Sequence, residues 1–360
     1  MLFIIPRLIS AVILLGLLAQ NISYADNDPY FAYREVNKKP LDIKAKELKH
    51  FAKEEELIRQ KLELKLSQRE RAILAGLHWI LTLADDDANF KFLFNDFMLL
   101  MNALRNSNGR EHQKEVVEAI SKKALKRGLL HLNELYDTEE MAGWHFIGLF
   151  PIIVHYPDLE QGYFAFYKRQ WPKFSLKKSP TLAEFNETMK DLDYQGIFEV
   201  LVSTSFPHYY IKENQTPKVP MPEDKFPQYM KELEKFNYID YPIKDTQFRN
   251  LGYLATHIPL VLTNYGEFPL KDGINTKKAR EYIEKSFEKV WELGEFDLFA
   301  EYIQCLKMFQ PNDSRIKKLE DFIYSLQRSD GSWGSERDFK TNAYTAIHPS
   351  GAALMALNQR

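Results

Sequence analysis

The chain has 360 residues, of which 45% are hydrophobic and 14% aromatic, and its formal net charge is −2. This composition supplies enough apolar side chains for a large core, whereas the nearly balanced charge excludes the basic surface on which nucleic-acid binding depends. Cys305 is the only cysteine, so no intramolecular disulfide can form and stability must come from packing.

Residues 1–25 have the three parts of an export signal. Arg7 supplies the positive start, residues 8–18 form an apolar run, and Ser23-Tyr24-Ala25 places small residues at the two positions that signal peptidase reads. A retained membrane anchor is the alternative, but the run is shorter than the roughly 18 residues needed to span a bilayer. We therefore expect a mature chain that begins near Asp26, has no stable membrane anchor and is periplasmic or secreted.

The helical period dominates the rest of the chain, and strand-like alternation is hard to find. Residues 26–66 are predicted to form an irregular lead-in followed by a charged helix over 41–66, and 67–360 to form one helical domain. Within that domain, residues 69–83 are apolar nearly all round a helix, which indicates burial on every side. Asp85-Asp86-Asp87 follows this helix, and three adjacent carboxylates at a helix end are typical of a solvated loop.

The C-terminal third alternates between two kinds of helix. Residues 278–292 and 313–327 each have one apolar stripe, which is typical of an outer amphipathic helix, whereas 297–309 and 350–357 are mostly apolar and are predicted to be buried. Hairpins in this order, set side by side, close into two concentric rings of helices, an α/α-toroid. A right-angled bundle or an open solenoid is the alternative.

One motif separates these architectures. Residues 322–334 read FIYSLQRSDGSWG, in which a helix ends at Gln327, a short turn contains Gly331, and Trp333 follows. Gly331 permits the positive φ of a sharp turn, the Gln327 amide can tie the helix end to that turn, and Trp333 can cover the joint. The motif closely resembles the QW repeat of the terpene cyclase and prenyltransferase toroids. The resemblance extends over residues 245–357 and implies an all-α fold of the α/α-toroid type.

The residues that carry terpenoid chemistry in that superfamily are not matched here. Asp191-Leu192-Asp193-Tyr194 lacks the last two carboxylates of the acid motif of class II cyclases. Ile303 stands where prenyltransferases have the aspartate two residues before their zinc-binding cysteine. Isoprenoid diphosphates are also cytoplasmic compounds, whereas this chain is predicted to be exported. Terpenoid chemistry is therefore disfavoured, and the resemblance supports the fold more than the function.

Three polar residues recur at the spacing of one helical hairpin. His257 and Glu301 lie 44 residues apart in apolar segments, and His348 follows 47 residues later, where it is expected to open the last helix with Pro349 in the first turn. Parallel inner helices at this spacing would direct all three side chains into one central cavity. The plainer alternative is that each has a structural partner, as a core histidine, a bonded carboxylate or a helix cap.

Two histidines and a glutamate suffice for a zinc ion with an open position for water, and equally for metal-free acid–base catalysis. Asp297 is expected to orient a partner. Tyr265 is expected to donate to a substrate oxygen, although Gly266 after it also indicates a helix end. We predict a hydrolase or lyase that acts on a glycan, peptide or lipid-like small molecule in the central cavity, with zinc as a candidate cofactor held by His257, Glu301 and His348. A non-catalytic toroid that binds a ligand or protein is the alternative, and a purely structural exported protein is the third.

Overall fold

The computed structural model describes most of the chain from His50 onward. The described ranges are 50–106, 111–136, 146–171, 180–213, 218–335, 338–339 and 342–359. The predicted signal at 1–25, the lead-in and the first part of the predicted helix over 41–66 lie outside them.

Within these ranges the chain forms fifteen α-helices and no β-strand, which confirms the all-α prediction. None of the helices described is long and apolar enough to cross a membrane. Their bounds are α1 Ala52–Leu62, α2 Gln68–Asp85, α3 Asp87–Asn106, α4 Glu111–Leu130, α5 Leu132–Leu135, α6 Phe150–Ile153, α7 Pro157–Gln170, α8 Leu182–Lys190, α9 Tyr194–Glu213, α10 Phe226–Leu233, α11 Thr246–Leu262, α12 Ile274–Leu293, α13 Phe296–Phe309, α14 Ile316–Ser325 and α15 Ala343–Asn358.

Side-chain caps explain where two of the long helices begin. Ser67 precedes α2 and accepts a hydrogen bond from the Glu70 amide, while the Glu70 carboxylate accepts one from the Ser67 amide. Asn342 and Thr345 form the same reciprocal pair at the start of α15. Each pair satisfies amides that the first helical turn leaves without partners.

Six helices pack in a closed circuit. α3 packs against α15, α15 against α13, α13 against α11, α11 against α9, α9 against α6, and α6 against α3. Other long helices lie against this circuit: α2 packs on α3 and α15, α12 on α11 and α13, and α14 on α13 and α15. The two ends of the described chain therefore meet, and the Asn358 side-chain amide donates to the Leu104 carbonyl at 2.9 Å.

Burial alternates along the C-terminal third as the sequence predicted. Every residue from Leu298 to Lys307 in α13 is buried, whereas Ile323 is the only buried residue of α14. α2 is buried on nearly every side, and α12 buries one stripe that includes Ile283 and Val290. The helices of the circuit thus form the interior, and α12 and α14 cover it.

The joint after α14 has the contacts that the motif at 322–334 predicted. The Gln327 side-chain amide donates to the Gly331 carbonyl and to the Ala72 carbonyl of α2, each at 2.9 Å. Trp333 is fully buried, and its indole N–H donates to the Ile323 carbonyl at 2.8 Å. Gly331 has φ +93°, and a Cβ there would lie 2.3 Å from the Ala75 carbonyl oxygen, so only glycine fits the turn against α2.

The start of the last helix corrects the sequence prediction. α15 begins at Ala343, because Asn342 and Thr345 cap it, and not near residue 350. His348 is therefore the sixth residue of α15 and does not open it. Pro349 lies inside the helix and not in its first turn.

The acidic segment at the end of α2 is solvated only in part, because Asp85 is buried whereas Asp86 is half-buried and Asp87 is exposed. Asp85 is buried at the end of α2 and accepts a hydrogen bond from the Phe51 amide at 3.1 Å. The buried Arg127 guanidinium donates to the Ala84 carbonyl at 2.6 Å and pairs with Asp87. This positive charge at the C-terminal end of α2 interacts favourably with the helix dipole.

Candidate functional site

Side chains of α11 and α13 face each other in a polar ladder within the circuit. The Tyr253 hydroxyl donates to Asp297 Oδ2 at 2.6 Å, and the Thr256 hydroxyl donates to Glu301 Oε2 at 2.6 Å. One turn earlier, Arg249 Nη1 lies 3.6 Å from Glu295 Oε1. We call this set the α11–α13 ladder; it consists of Arg249, Tyr253, Thr256, Glu295, Asp297 and Glu301.

His257 lies beside the ladder in a fixed tautomer. Its Nδ1 is 2.8 Å from the Tyr253 carbonyl oxygen and 3.7 Å from Glu301 Oε2. Because a carbonyl can only accept, Nδ1 carries the hydrogen and Nε2 presents a lone pair. The Phe198 ring packs edge-on against the imidazole with centroids 4.3 Å apart. The His257 and Glu301 side chains are 14% and 8% exposed.

Burial shifts the pKa values of these two groups in opposite directions. It raises the pKa of Glu301 to about 8, although the Thr256 hydrogen bond lowers it in part and the Asp297 charge raises it further. Burial also lowers the pKa of His257 to about 4, against the Tyr253 hydrogen bond. Near pH 7 a neutral carboxylic acid therefore stands beside a neutral imidazole.

The start of α13 is crowded with carboxylates. Burial raises the pKa of Glu295 to about 7, the Asp297 and Asp338 charges add to the rise, and Arg249 opposes it. Burial likewise keeps the pKa of the Tyr253 phenol well above its ordinary value, with Asp297 as the next cause. Tyr253 thus stays protonated and holds Asp297 in place.

The structure brings together three of the five residues that the sequence singled out. His257, Glu301 and Asp297 share the ladder region. Tyr265 lies past the end of α11, and the rise per residue of an α-helix places it about 12 Å from His257 along the helix axis. Tyr265 has φ 55° and stacks on Phe206 with centroids 6.0 Å apart. These are features of a helix end, the second interpretation that the sequence offered.

His348 lies on α15, which packs against α13, and its ring is 4.0 Å from that of Tyr344. In the part of the chain that is described, no group of three or more His, Cys, Asp or Glu side chains is arranged to hold a metal ion. His257, Glu301 and His348 therefore do not form the zinc ligand set that the sequence suggested. His348 presents an aromatic surface together with Tyr344.

Tyr253, Thr256 and Glu295 are site residues that sequence reasoning missed. The signal was present, because Tyr253 precedes Asp297 by the same 44 residues that separate His257 from Glu301. Thr256 gave no signal, since threonine is common in buried helices.

Several side chains of the circuit helices are partly exposed. They include acidic, imidazole and aromatic groups on four helices: Asp96 on α3, Phe198 on α9, Tyr253 and His257 on α11, and Tyr344 and His348 on α15.

Comparison with known proteins returned no match: no family model, no curated protein and no solved structure corresponds to the chain. The resemblance of residues 322–334 to the QW repeat stays a prediction.

Proposed function

We propose that the chain is an exported α/α-toroid enzyme that performs acid–base chemistry on a glycan, peptide or lipid-like substrate. The closed order of packing from α3 through α15, α13, α11, α9 and α6 supports the toroid, with these helices as the inner ring. The one-sided burial of α12 and α14 suits an outer ring. The apolar run and the small residues at Ser23 and Ala25 support export to the periplasm or beyond.

The observation that carries the chemistry is the pairing of Glu301 with His257 across Thr256. Two titratable groups whose environments push their pKa values apart are suited to divide acid and base roles. Glu301 is protonated near neutral pH and can give its proton to a leaving oxygen or nitrogen. His257 Nε2 can take a proton from water.

The Thr256 hydroxyl connects the two groups. It lies 3.2 Å from His257 Nδ1 and 2.6 Å from Glu301 Oε2. After turnover the proton gained at Nε2 passes to solvent and Glu301 takes a proton from solvent, which leaves the imidazole in its starting tautomer with its hydrogen on Nδ1. The depressed pKa of His257 favours this release, because the imidazolium readily gives up a proton in this setting.

The test uses the mature chain from Asp26 onward, assayed from pH 4 to 9 on chromogenic glycosides, peptide anilides and acyl esters. Glu301→Gln and His257→Gln should each lower kcat by about 100-fold or more while the circular dichroism spectrum is unchanged. Glu288→Gln, on the exposed face of α12, should retain full activity.

Turnover that persists in both variants would refute the assignment of the acid and the base. A ligand that binds in a Glu301-dependent manner without any turnover would instead support the non-catalytic alternative. The Phe198 ring against His257 keeps that alternative physically reasonable, since aromatic faces bind ligands as readily as they serve enzymes.

A further inference from the structure

The acid and the base of the proposed site lie side by side. His257 Nδ1 is 3.7 Å from Glu301 Oε2, and the Thr256 hydroxyl is within hydrogen-bonding distance of both atoms. Enzymes that cleave glycosidic bonds place their two groups on either side of the bond, about 5 to 9.5 Å apart. No sugar ring fits between side chains as close as these. The bond that this pair cleaves must therefore be approached from one side only.

Each group presents one atom to solvent. Glu301 Oε1 and His257 Nε2 make no hydrogen bond to the described residues, and the buried side-chain atoms that lack a partner there do not include them. Both atoms therefore retain accessible surface. Glu301 Oε2 accepts the Thr256 hydroxyl, and His257 Nδ1 donates to the Tyr253 carbonyl. The acid hydrogen is thus carried by Glu301 Oε1, and the lone pair of the imidazole by His257 Nε2.

Hydrolysis of an acyl bond places both proton transfers at one carbon. A water molecule loses a proton as it attacks the carbonyl carbon, and the leaving atom gains one as it departs from that same carbon. In serine proteases a single histidine serves the two positions in turn, so both lie within reach of one side chain. An adjacent acid and base on one side of the substrate match this requirement. The geometry of Glu301 and His257 therefore favours an acyl substrate over a glycan.

The protonation of Glu301 separates amides from esters. An amine is expelled from an acyl carbon only after its nitrogen is protonated, whereas the oxygen of an alcohol leaves with less assistance. Burial raises the pKa of Glu301 to about 8, so its proton is present at neutral pH when the leaving nitrogen needs it. The charge of Asp297, one turn earlier on α13, also opposes the ionisation of Glu301. An ester would gain little from such an acid.

We infer that the substrate is a carboxamide, with its carbonyl carbon facing a water molecule at His257 Nε2 and its nitrogen facing Glu301 Oε1. This substrate class rests on the proposed function. His257 takes a proton from the water as the water oxygen bonds to the carbonyl carbon. Glu301 gives its proton to the nitrogen as the bond between carbon and nitrogen breaks. The products are a carboxylic acid and an amine, which together contain the one water consumed. The imidazolium then releases its proton to solvent, and Glu301 regains one from solvent.

The experiment compares amides and esters that share an acyl group, with the mature chain from Asp26 onward. Each pair is a p-nitroanilide and a p-nitrophenyl ester of the same acyl group; the acyl groups are acetyl, octanoyl, benzoyl and N-blocked alanine, phenylalanine, lysine and glutamate. A library of unmodified peptides and N-acyl amines is assayed by the release of primary amines. Neutral and charged oligosaccharides are assayed by the release of reducing ends. We expect hydrolysis of one or more amides and no release of reducing ends.

Two variants test the roles of the acid and the base. Glu301→Gln should lower the turnover of an amide by about 100-fold or more, but that of its paired nitrophenyl ester by less than about tenfold, because nitrophenolate leaves without a proton. His257→Gln should lower the turnover of both by about 100-fold, because each needs an activated water. Glu281→Gln, on the exposed face of α12, should change neither.

The outcomes separate the substrate from the proposed function. Release of reducing ends that depends on Glu301 would preserve the acid–base enzyme and reject the amide, as would turnover confined to esters. An equal loss of amide and ester turnover in Glu301→Gln would overturn the transfer of its proton to the nitrogen. Amide turnover that is unchanged in both variants would reject the pair as the site of amide hydrolysis. Folded protein without turnover of any class would reject the enzyme and the amide together.

Discussion

The buried acid at Glu301 makes the stability of the protein depend on pH in a way that one substitution removes. Its pKa is about 8 in the folded chain against an ordinary value of 4.5. The folded state therefore holds the proton more tightly than the unfolded state does. This stabilising contribution is complete below pH 4.5 and is lost as pH rises toward 8. Between pH 5 and pH 7 the loss amounts to roughly 2 to 3 kcal/mol.

Glu301→Gln has no proton to lose and can still accept the Thr256 hydrogen bond through its amide oxygen. The free energy of unfolding of the variant, minus that of the parent, should therefore rise by roughly 2 kcal/mol from pH 5 to pH 7. His257 acts in the opposite direction, because its pKa falls from 6.5 to about 4 on folding and its contribution is lost as pH falls below 6.5. It is present in both proteins and cancels in the difference.

Urea unfolding followed by circular dichroism at pH 5, 6, 7 and 8 gives the required free energies. Glu288→Gln serves as the control, since an exposed carboxylate should give a difference that stays constant within about 0.5 kcal/mol over this range. A difference for Glu301→Gln that is equally constant would show that Glu301 has an ordinary pKa in the folded state. The neutral acid of the proposed mechanism would then be lost.

Three further outcomes are expected. Trp333→Ala should lower the free energy of unfolding by roughly 3 to 5 kcal/mol because it empties a fully buried site. Trp333→Phe should lower it by roughly 1 to 2 kcal/mol, because the hydrogen bond to the Ile323 carbonyl is lost. A loss below about 1 kcal/mol for the alanine variant would contradict the role of the joint. Thr256→Val removes a hydrogen bond that lowers the pKa of Glu301, so the alkaline limb of the pH–rate profile should move to higher pH. Thr256→Ser keeps the hydroxyl and should leave the limb at its original pH. A limb that does not move in Thr256→Val would contradict the contact between Thr256 and Glu301. Intact-mass measurement of protein from an exporting host should find a chain that starts near Asp26, and retention of residues 1–25 would contradict export.

The sequence predicted the helical fold and its joint well because both depend on local rules. Apolar residues at helical spacing define which faces are buried, and this is why α12, α13 and α14 alternate as expected. The joint at 322–334 combines a glycine with positive φ and a large buried aromatic residue, and both are local features of the sequence. The start of α15 was misplaced because an Asn342 cap followed by Thr345 gives a weaker pattern than the glutamate form of the same pair.

The site was predicted only in part because its contacts are between helices. The spacing of His257 and Glu301 placed them at the same level of neighbouring helices, but neither the bridging Thr256 nor the depth of burial can be read from periodicity. The pKa shifts depend on that depth, so the protonation states of His257 and Glu301 could not be predicted from the sequence. The zinc hypothesis was wrong for the same reason. Three ligands must meet from three helices, periodicity does not give the relative positions of those helices, and the described residues contain no such group.

The contacts between the two ends of the chain have a consequence for how the protein folds. Gln327 is bonded to Ala72, which lies 255 residues earlier, and Arg69 donates to the Asn358 carbonyl at 2.8 Å. Such distant contacts are formed late and make folding slow. During synthesis, the apolar surface of α2 stays exposed to solvent until the last helices have been synthesised. A chain truncated before Trp333 would keep that surface uncovered permanently, so loss of some thirty terminal residues should cause aggregation and degradation, and the defect would arise at the first long helix, far from the missing segment.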